Sequence, residues 1–549
     1  MTHPNSLETD VVIIGGGATG TGIMRDCALR NIRCILLERL DISAGSTGRN
    51  HGLLHSGARY AVTDPLSAME CIQENRTLRH IARHCVEESD GLFISLPEDD
   101  LDYQEQFIKA CHHASIPTQL LSAEEALRLE PNANPTLKSA VKVPDGTLDP
   151  FRLCSANVLD AQQHGATLLN HTRVIGLLRQ QERIVGVRCE NQLTHQKFEI
   201  RCQQVINAAG IWGQQITQMA GVPLTMFPAK GSLLIFDYRL NNLVINRCRK
   251  PADADILVPG DTISLIGTTS EHIDYHDIDK PTVTAKEVEL LMNEGIKLCP
   301  SMANARVLRA YAGVRPLVSV DNDGSGRNIS RGIVLLDHKT RDGLDGLVTI
   351  TGGKLMTYRL MAEQATDLVA QKLGNSIPCQ THILPLPGST HEPIPSDHPH
   401  ASIPIYQAAI DRHGSQASHF LTSDAEDQTV ICECEMVTAG EIGYAINQLQ
   451  VQDLVDLRRR TRLGMGPCQG ELCSYRAAQL FCDIGQRDGN QASHLLEQFL
   501  QERWQGTQPI FWGDALRETE LSYWLYEGLM GISGLPTTLS STKNKQGAH

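Results

Sequence analysis

Residues 10–20 have the sequence DVVIIGGGATG. The apolar, β-branched run before Gly15 predicts a buried parallel strand, and the glycines that follow form a G-x-G-x-x-G turn. A helical segment continues through Leu29, and a second apolar run, Cys34–Leu37, ends at Glu38. Strand, glycines, helix, strand and acid stand in the order of a dinucleotide-binding βαβ unit. The sequence therefore predicts an α/β fold that begins with a Rossmann-type domain.

Each glycine of this turn has a separate mechanical role. Gly15 permits the tight turn, Gly17 lets a pyrophosphate approach the backbone, and Gly20 lets the helix pack closely on the strand. The helix N-terminus then faces the phosphates, and Glu38 can accept hydrogen bonds from the ribose hydroxyls. A glycine-rich turn in some other α/β domain is the alternative, and the motif by itself leaves FAD and NAD both open.

Three later segments favour FAD. Residues 43–52, SAGSTGRNHG, place small hydroxyl residues after the acidic strand end, as flavoproteins of the glycine oxidase and D-amino-acid oxidase type do. Residues 205–210, VINAAG, end a predicted strand in small residues, and residues 347–357 run from a strand through GGKLMT into a helix. The dipole of that helix would stabilise negative charge on the flavin edge. The candidate cofactor contacts in these segments are Ser46, Thr47, Asn50, Gly52, Ala209, Gly210, Gly353, Leu355, Met356 and Thr357.

Composition excludes several classes of protein. The chain has 549 residues and a formal charge of −14, so nucleic acid and bare anionic membrane are poor partners for its surface. No apolar run approaches the roughly 18–20 residues of a membrane span. The first ten residues lack the basic and apolar regions of a signal peptide, so the sixteen cysteines are expected to be reduced and cytosolic.

Four cysteines form two close pairs in the C-terminal part, Cys432 with Cys434 and Cys468 with Cys473. Two pairs of thiolates supply two sulfurs to each iron of a [2Fe–2S] cluster. Structural zinc is the rival, but zinc motifs favour two to four residues between paired cysteines, and the first pair has one. The segment resembles the bacterioferritin-associated-ferredoxin type of [2Fe–2S] domain.

Two helices are predicted between these pairs, at 438–448 and 451–462, with Thr438 as an N-cap. Glycines after the second helix (Gly464, Gly466 and Gly470) would let backbone amides face the sulfurs. An arginine run, Arg458–Arg460 with Arg462, precedes the second pair. A solvated helix face is the simpler interpretation of this run, and a docking patch for an acidic electron-transfer partner is the other.

The first 375 residues resemble the FAD-dependent glycerol-3-phosphate dehydrogenases. The blocks that carry the resemblance are HSGARY at 55–60, AGVRP at 312–316, ISR at 329–331 and TGGKLMTYR at 351–359. With the cysteine module behind them, the whole chain resembles the catalytic flavoproteins of the anaerobic, quinone-linked enzymes of this family. One departure is visible: aerobic members have Gly-Gly after the pocket histidine, and this chain has Ser56-Gly57, which alters backbone freedom there.

By this resemblance, the substrate pocket contains His55, Arg59, Tyr60, Arg315, Arg331 and Lys354. Glycerol 3-phosphate is a dianion, and guanidinium groups bind phosphate oxygens bidentately. Oxidation at C2 needs a base for the hydroxyl proton, and His55 is the candidate because histidine titrates near neutral pH. Arg59 or Lys354 could instead stabilise a developing alkoxide. Tyr60, Arg315 and Arg331 are expected to bind the substrate.

The predicted domains follow from these segments. An FAD-dependent oxidoreductase domain is expected at 1–375, with a doubly wound FAD part assembled from residues 1–85, 140–215 and 310–375. A substrate part with an antiparallel sheet is inserted between these pieces, at 86–139 and 216–309. A proline-rich linker at 376–404 leads to a small helical [2Fe–2S] domain at 405–490 and a helical extension at 491–549.

The resemblance implies oxidation of sn-glycerol 3-phosphate to dihydroxyacetone phosphate, with a hydride passing to FAD and electrons leaving through the [2Fe–2S] cluster. It also implies a second flavin subunit with FMN, and a membrane-anchoring iron–sulfur subunit that reduces quinone in anaerobic respiration. The chain would then lie peripherally on the cytoplasmic face of the inner membrane. Two alternatives stay open: an amine or 2-hydroxy-acid dehydrogenase of the same fold, and a non-catalytic electron-transfer subunit.

Overall fold

A six-stranded sheet carries the nucleotide-binding unit in this computed structural model, which describes residues 6–319, 329–330, 332–389, 404–422, 424–485 and 488–532. Strand Val11–Ile14 pairs in parallel with a neighbour on each side, and only the edge strand at the far end of the sheet is antiparallel. In spatial order the strands are Thr167–Leu169, Cys34–Leu37, Val11–Ile14, Gln204–Asn207, Leu347–Gly352 and Ile333–Asp337.

The two faces of this sheet are covered differently. Helices Ala18–Leu29, Pro150–Gln163 and Tyr358–Leu373 contribute to the apolar core on one face. The other face packs against a four-stranded sheet, which differs from the expected doubly wound arrangement with helices on both faces. The reason is that the chain after residue 171 forms an antiparallel meander instead of a helix. The four strands are, in spatial order, Ser6–Glu8, Lys197–Arg201, Arg183–Asn191 and Thr172–Gln180.

A ten-stranded sheet forms the substrate side of the molecule, and all its strand pairs are antiparallel except Gly91–Ser95 with Val244–Arg247. Two strands of this sheet lie mostly in segments that were predicted in the FAD part. They are Ser139–Val143, which pairs with Gly91–Ser95, and Val307–Ser319, which pairs with Met226–Phe236. Strand partners depend on long-range packing, which local sequence does not show. In spatial order the strands are Ile329–Ser330, Val307–Ser319, Met226–Phe236, Ile263–Gly267, Ile256–Gly260, Val244–Arg247, Gly91–Ser95, Ser139–Val143 and Gln119–Ser122, with Glu271–His272 beside Met226–Phe236.

Smaller sheets and helices complete the described chain. The remaining strands are Leu53–Leu54, Val86–Glu87, Gly146–Leu148, Val430–Cys432 and Val437–Thr438. The α-helices are Ala18–Leu29, Pro65–Ile81, Leu101–His113, Ala123–Leu129, Pro150–Gln163, Gly213–Ala220, Ala285–Leu298, His338–Asp342, Tyr358–Leu373, Pro404–His413, Ala439–Gln448, Leu454–Thr461, Ser474–Gly485, Gly489–Thr507 and Gly513–Trp524, and Leu525–Leu529 is π-helical. None of the helices in the described ranges combines the length and the apolar character that crossing a bilayer requires.

The first half of the predicted linker lies against the FAD domain. Arg25 donates from Nη2 to the carbonyl oxygen of Leu384 at 2.8 Å. The backbone N–H of Leu386 donates to the carbonyl of Ile81 at 2.8 Å, and the Leu386 side chain is buried. Residues 390–403, the second half, lie outside the described residues. The connector is therefore fixed to the FAD domain at its start.

The predicted [2Fe–2S] domain at 405–490 and the extension at 491–549 are together called the C-terminal module. Its described residues have a separate apolar core that includes Val437, Leu457 and Phe499. Its helices Ala439–Gln448 and Leu454–Thr461 confirm the two predicted between the cysteine pairs. Thr438 is the N-cap of the first, because its hydroxyl accepts the backbone N–H of Glu441 at 3.2 Å. Local sequence thus specified this part of the module correctly.

The arginine run of the module is neither a solvated face nor an open docking patch. Arg460 forms two hydrogen bonds to Asp41 of the FAD domain, at 2.6 and 2.9 Å, and both side chains are at most 1% exposed. Arg459 donates to the same carboxylate at 3.2 Å. His171 of the FAD domain and Asp456 of the module lie 3.0 Å apart beside this contact. These arginines therefore join the module to the FAD domain.

An Asp41→Asn variant tests this junction. Burial opposes ionisation of Asp41, but Arg460 and Arg459 lower its pKa, so the carboxylate is charged at neutral pH. Removing that charge leaves Arg460 buried and uncompensated, which costs about 3–5 kcal/mol. We expect the free energy of unfolding for the first transition in chemical denaturation to fall by this amount, so that its midpoint moves to a lower denaturant concentration. Glu199→Gln, which breaks the exposed pair with Arg188, is the control and should cost at most about 1 kcal/mol. Equal shifts in both variants would contradict a structural role for the junction.

Candidate functional site: an FAD cavity, its substrate end and a cysteine cluster

A cavity of about 700 Å³ opens at the carboxyl ends of the central parallel strands. This is the end of an open α/β sheet at which ligands bind. The wall includes most of the predicted cofactor residues, namely Gly15, Gly17, Glu38, Ser46, Thr47, Asn50, Ala209, Gly210, Gly353, Leu355 and Met356. Gly20, Gly52 and Thr357, which were also predicted as cofactor contacts, do not line it. Gly20 and Thr357 support turns that line the cavity, and Gly52 lines a neighbouring cavity.

The glycine-rich turn is a cradle that side chains would fill. Gly15 has φ +112°, and a Cβ there would lie 2.6 Å from the carbonyl oxygen of Ala208. A Cβ on Gly20 would lie 1.8 Å from the carbonyl oxygen of Gly15. Gly20 therefore supports the turn from beneath, consistent with the packing role predicted for it. The turn and the N-terminus of helix Ala18–Leu29 fit a dinucleotide pyrophosphate.

Glu38, which is predicted to bind the ribose, also lines this cavity. Its carboxylate accepts the backbone N–H of Gly16 at 2.7 Å and that of Leu40 at 2.9 Å. Burial raises the pKa of Glu38, and these two hydrogen bonds oppose the rise. The two bonds use one lone pair on each oxygen, so the carboxylate retains acceptor capacity for ribose hydroxyls.

The loop 43–52 is held by its own polar side chains. The Thr47 hydroxyl accepts the backbone N–H of Ala18 at 3.0 Å, and the Ser46 hydroxyl donates to the carbonyl of Val314 at 2.6 Å. Asn50 donates to the carbonyls of Ser46 and Thr47, at 3.2 and 2.6 Å. These bonds fix the loop between the helix N-terminus and the ten-stranded sheet. Asn50 thus shapes the loop that lines the cavity.

The turn after strand Leu347–Gly352 closes the other side of the cavity. Gly353 has φ +66°, and a Cβ there would lie 2.4 Å from the sulfur of Met361. The Thr357 hydroxyl accepts the backbone N–H of Lys354 at 3.0 Å. Thr357 therefore holds the turn and is set back from the cavity.

The predicted substrate residues meet at one end of the cavity. The ring of His55 lies 5.4 Å from that of Tyr60, centroid to centroid, and the Lys354 ammonium lies 4.6 Å above the Tyr60 ring. Arg59 and Arg315 line the same end. Arg331 lies outside the described residues. Five of the six residues assigned by resemblance are thus brought together from three distant segments.

Both arginines are oriented by neighbours. Arg59 donates from Nη2 to the carbonyl of Ala252 at 2.8 Å and lies 3.4 Å from Asp255. Arg315 donates to the Thr268 hydroxyl at 2.5 Å and to the carbonyl of Thr269 at 3.0 Å. Thr268 follows directly on a strand of the ten-stranded sheet, which sequence did not connect to this site. The two guanidinium groups are therefore preorganised for an anion.

Serine at position 56, where aerobic members of the family have glycine, is compatible with the turn. Gly57 has φ +95°, and a Cβ there would lie 2.4 Å from the carbonyl of Ala68, so glycine is required at this second position. Ser56 is fully buried, and its backbone N–H donates to Asp145 at 2.6 Å. The pocket histidine therefore keeps a supported backbone with serine after it.

A second histidine, His51, was missed by the sequence reasoning. Its ring centroid lies 5.9 Å from that of His55, and its Nδ1 accepts the backbone N–H of Leu53 at 3.2 Å. Burial, with the charges of Arg315 and Arg59, lowers the pKa of His51 to about 3. Burial, with His51, Arg59 and Lys354, also lowers the pKa of His55 well below its usual range. Both imidazoles are therefore neutral at neutral pH.

The four clustered cysteines meet in the C-terminal module. The thiol of Cys473 lies close to those of Cys432 and Cys468, and the thiol of Cys434 lies close to that of Cys468. Backbone N–H groups donate to these sulfurs, among them those of Gly464 and Gly470, as predicted. Thiolates with amide donors are the donor set of an iron–sulfur cluster.

Comparisons with known proteins agree with this arrangement. The family model described as FAD dependent oxidoreductase matches residues 10–359, and the model of the BFD-like [2Fe-2S] binding domain matches residues 430–482. The second match favours the iron–sulfur cluster over zinc. FAD and a [2Fe–2S] cluster are the cofactors of this chain.

Curated relatives cover nearly the whole chain. The A subunit of anaerobic glycerol-3-phosphate dehydrogenase from Escherichia coli K12 is 59% identical over 97% of this chain and 98% of its own length, and that from Haemophilus influenzae is 56% identical over 96% and 94%. The crystal structure of glycerol-3-phosphate dehydrogenase from Bacillus halodurans with FAD has a TM-score of 0.69, at 22% identity over 92% of this chain and 96% of that one, and supports the fold. The chain therefore belongs to the FAD-dependent oxidoreductases and, among them, to the family of anaerobic glycerol-3-phosphate dehydrogenase A subunits.

Proposed function

We propose that this protein oxidises sn-glycerol 3-phosphate to dihydroxyacetone phosphate. The observation that carries the proposal is the end of the FAD cavity, where Arg59, Arg315 and Lys354 surround a neutral imidazole. Cationic groups of this number match a phosphate dianion better than the single carboxylate of an amino or hydroxy acid. Bound FAD supplies the acceptor for the C2 hydride, and the cluster supplies a one-electron carrier.

We first assign the residues that bind the phosphate of the substrate. Arg315 presents its guanidinium from a strand, held by Thr268 and Thr269, and we assign it the phosphate oxygens. Tyr60 packs between His55 and Lys354 and fixes the position of both. Arg331 is assigned to the same phosphate by resemblance. This arrangement would orient C2 towards the flavin side of the cavity.

Proton removal from the C2 hydroxyl is assigned to His55. A neutral imidazole can accept the proton, but burial and the positive charges of Arg59 and Lys354 lower the pKa of His55 and make it a weak base. The arriving dianion offsets those charges and stabilises the imidazolium that forms. Arg59 and Lys354 then lie near the oxygen on which negative charge develops. As the hydride leaves C2 and His55 takes the hydroxyl proton, a C2 carbonyl remains.

We also propose the route beyond this chain. Electrons would pass to a second flavin subunit carrying FMN and to a membrane-anchored iron–sulfur subunit, with quinone as the final acceptor in anaerobic respiration. The complex would hold this chain peripherally at the cytoplasmic face of the inner membrane. The names of the curated relatives, which call them A subunits, support a multi-subunit assembly.

An Arg315→Gln variant tests the substrate assignment. Truncating one partner of a buried, hydrogen-bonded charge pair costs about 2–5 kcal/mol, so we expect kcat/KM for glycerol 3-phosphate to fall about 30- to 5000-fold. The measurement is anaerobic flavin reduction by glycerol 3-phosphate, followed at the flavin band. Arg128→Gln, at an exposed helix position, is the control and should behave as the parent. The proposal would be overturned if, in the parent protein, glycerol 3-phosphate left the flavin oxidised while an amino or hydroxy acid reduced it.

A further inference from the structure

A second cavity, of about 1460 Å³, lies between loop 43–52, the ten-stranded sheet and the C-terminal module. Arg49 and His51 line both cavities, so their loop forms part of the wall between them. Gly464 and Met465, next to the cysteine cluster, line the far side. The second cavity therefore lies between the FAD site and the cluster site, and neither assigned cofactor accounts for it.

Three neighbouring arginines in the wall of this cavity carry excess positive charge. Arg309 and Arg458 both donate to Oε1 of Glu502, at 3.3 and 2.6 Å. Arg49 faces the same carboxylate, and among the described residues no hydrogen bond or ion pair engages its guanidinium. Burial opposes ionisation of Glu502, but the arginines lower its pKa to about 2. Three arginines therefore share one carboxylate, which favours binding of an anion.

Two other arginines of the lining are balanced by carboxylates. Arg152 donates to both carboxylate oxygens of Asp261 at 3.1 Å. Arg462 pairs with Asp261 at 3.1 Å and with Glu435 at 2.9 Å. Among these five lining arginines the uncompensated charge therefore lies on Arg49, Arg309 and Arg458, which we name the arginine end.

The wall of the cavity also includes apolar side chains, namely Phe151, Ile235, Leu265 and Val283. Apolar walls with a few placed polar groups are typical of small-molecule sites, and this cavity exceeds their usual range of about 300–1000 Å³. We propose that the cavity binds a phosphate-bearing small molecule with an apolar or aromatic body of nucleotide size, its phosphate at the arginine end. The site is separate from the substrate pocket at Arg315.

Adenosine 5′-monophosphate is the probe for this site, measured by calorimetry on the FAD-replete protein. An Arg309→Gln variant removes a cation of the arginine end without touching the FAD cavity. Losing one charged hydrogen bond should weaken binding about 10- to 150-fold. Arg128→Gln and Arg315→Gln should bind the probe like the parent. Flavin reduction by glycerol 3-phosphate should be normal in Arg309→Gln, so failure here is distinguishable from failure of the proposed activity.

The other outcomes are equally informative. Adenosine, which lacks the phosphate, should not compete with the probe. The assignment of the site would be overturned if Arg309→Gln left binding of the probe unchanged, or if Arg315→Gln abolished it. Inorganic phosphate that binds as tightly as adenosine 5′-monophosphate would overturn the role of the organic body. No binding of the probe at millimolar concentration would overturn the proposal as a whole.

Discussion

Replacing Gly20 with alanine should lower the FAD content of the purified chain. A Cβ at this position would lie 1.8 Å from the carbonyl oxygen of Gly15, which is backbone and cannot rotate away. The turn must therefore shift, and overpacking of this kind costs about 1–3 kcal/mol or more. If the displaced turn loses the same free energy from FAD binding, the affinity for FAD falls by about 5- to 150-fold. The measurement is the ratio of flavin to protein absorbance after purification.

A matched control exists in the C-terminal module. Gly443 lies in a helix, and the nearest atom to its added Cβ is 3.9 Å away, so Gly443→Ala should keep full FAD content. The [2Fe–2S] absorbance of Gly20→Ala should persist, because the module has its own apolar core. Loss of both cofactors together would indicate global misfolding instead of a local defect, and a full flavin content would refute the assigned role of the turn.

Replacing Cys468 with alanine should separate the two redox functions. The variant loses one of the four thiolates that form the two predicted pairs, so we expect the cluster to be absent. Flavin reduction by glycerol 3-phosphate should remain, because the substrate pocket lies in a different domain. Electron transfer to quinone by the reconstituted complex should fall to background. Visible and electron paramagnetic resonance spectra, with quinone reduction, measure these effects.

Cys482→Ala provides the comparison for that variant. Cys482 lies in the same module, where it is buried, but it is outside the two pairs. This variant should keep both the cluster and quinone reduction. If Cys468→Ala retained quinone reduction at the parental rate, the cluster would not lie on the electron route.

The cofactor sites were predictable because their signals are local. The strand before Gly15, the turn itself and Glu38 follow one another along the chain, and each has a backbone or charge requirement that few residues meet. The same holds for the two cysteine pairs and for Thr438. The substrate residues needed the family resemblance as well, since a single His55 or Arg315 carries no local signature.

Other features depend on which distant segments meet. His51 has no motif of its own and is marked only by its contact with His55 and the nearby arginines. The strand Val307–Ser319 belongs to the ten-stranded sheet because its partner is Met226–Phe236, a long-range choice. Sequence patterns alone could not rank these pairings.

The arginine run shows the division most clearly. Its composition and helical position were evident in the sequence, and both suggested a surface exposed to solvent. Charge by itself does not specify a partner, because an arginine is stable in water or against a buried carboxylate. The tertiary structure brings Asp41 and Glu502 to these arginines and buries them between the FAD domain and the module. Local sequence thus determined the cofactor-binding elements, whereas long-range packing determined how the two redox sites are joined and what lies between them.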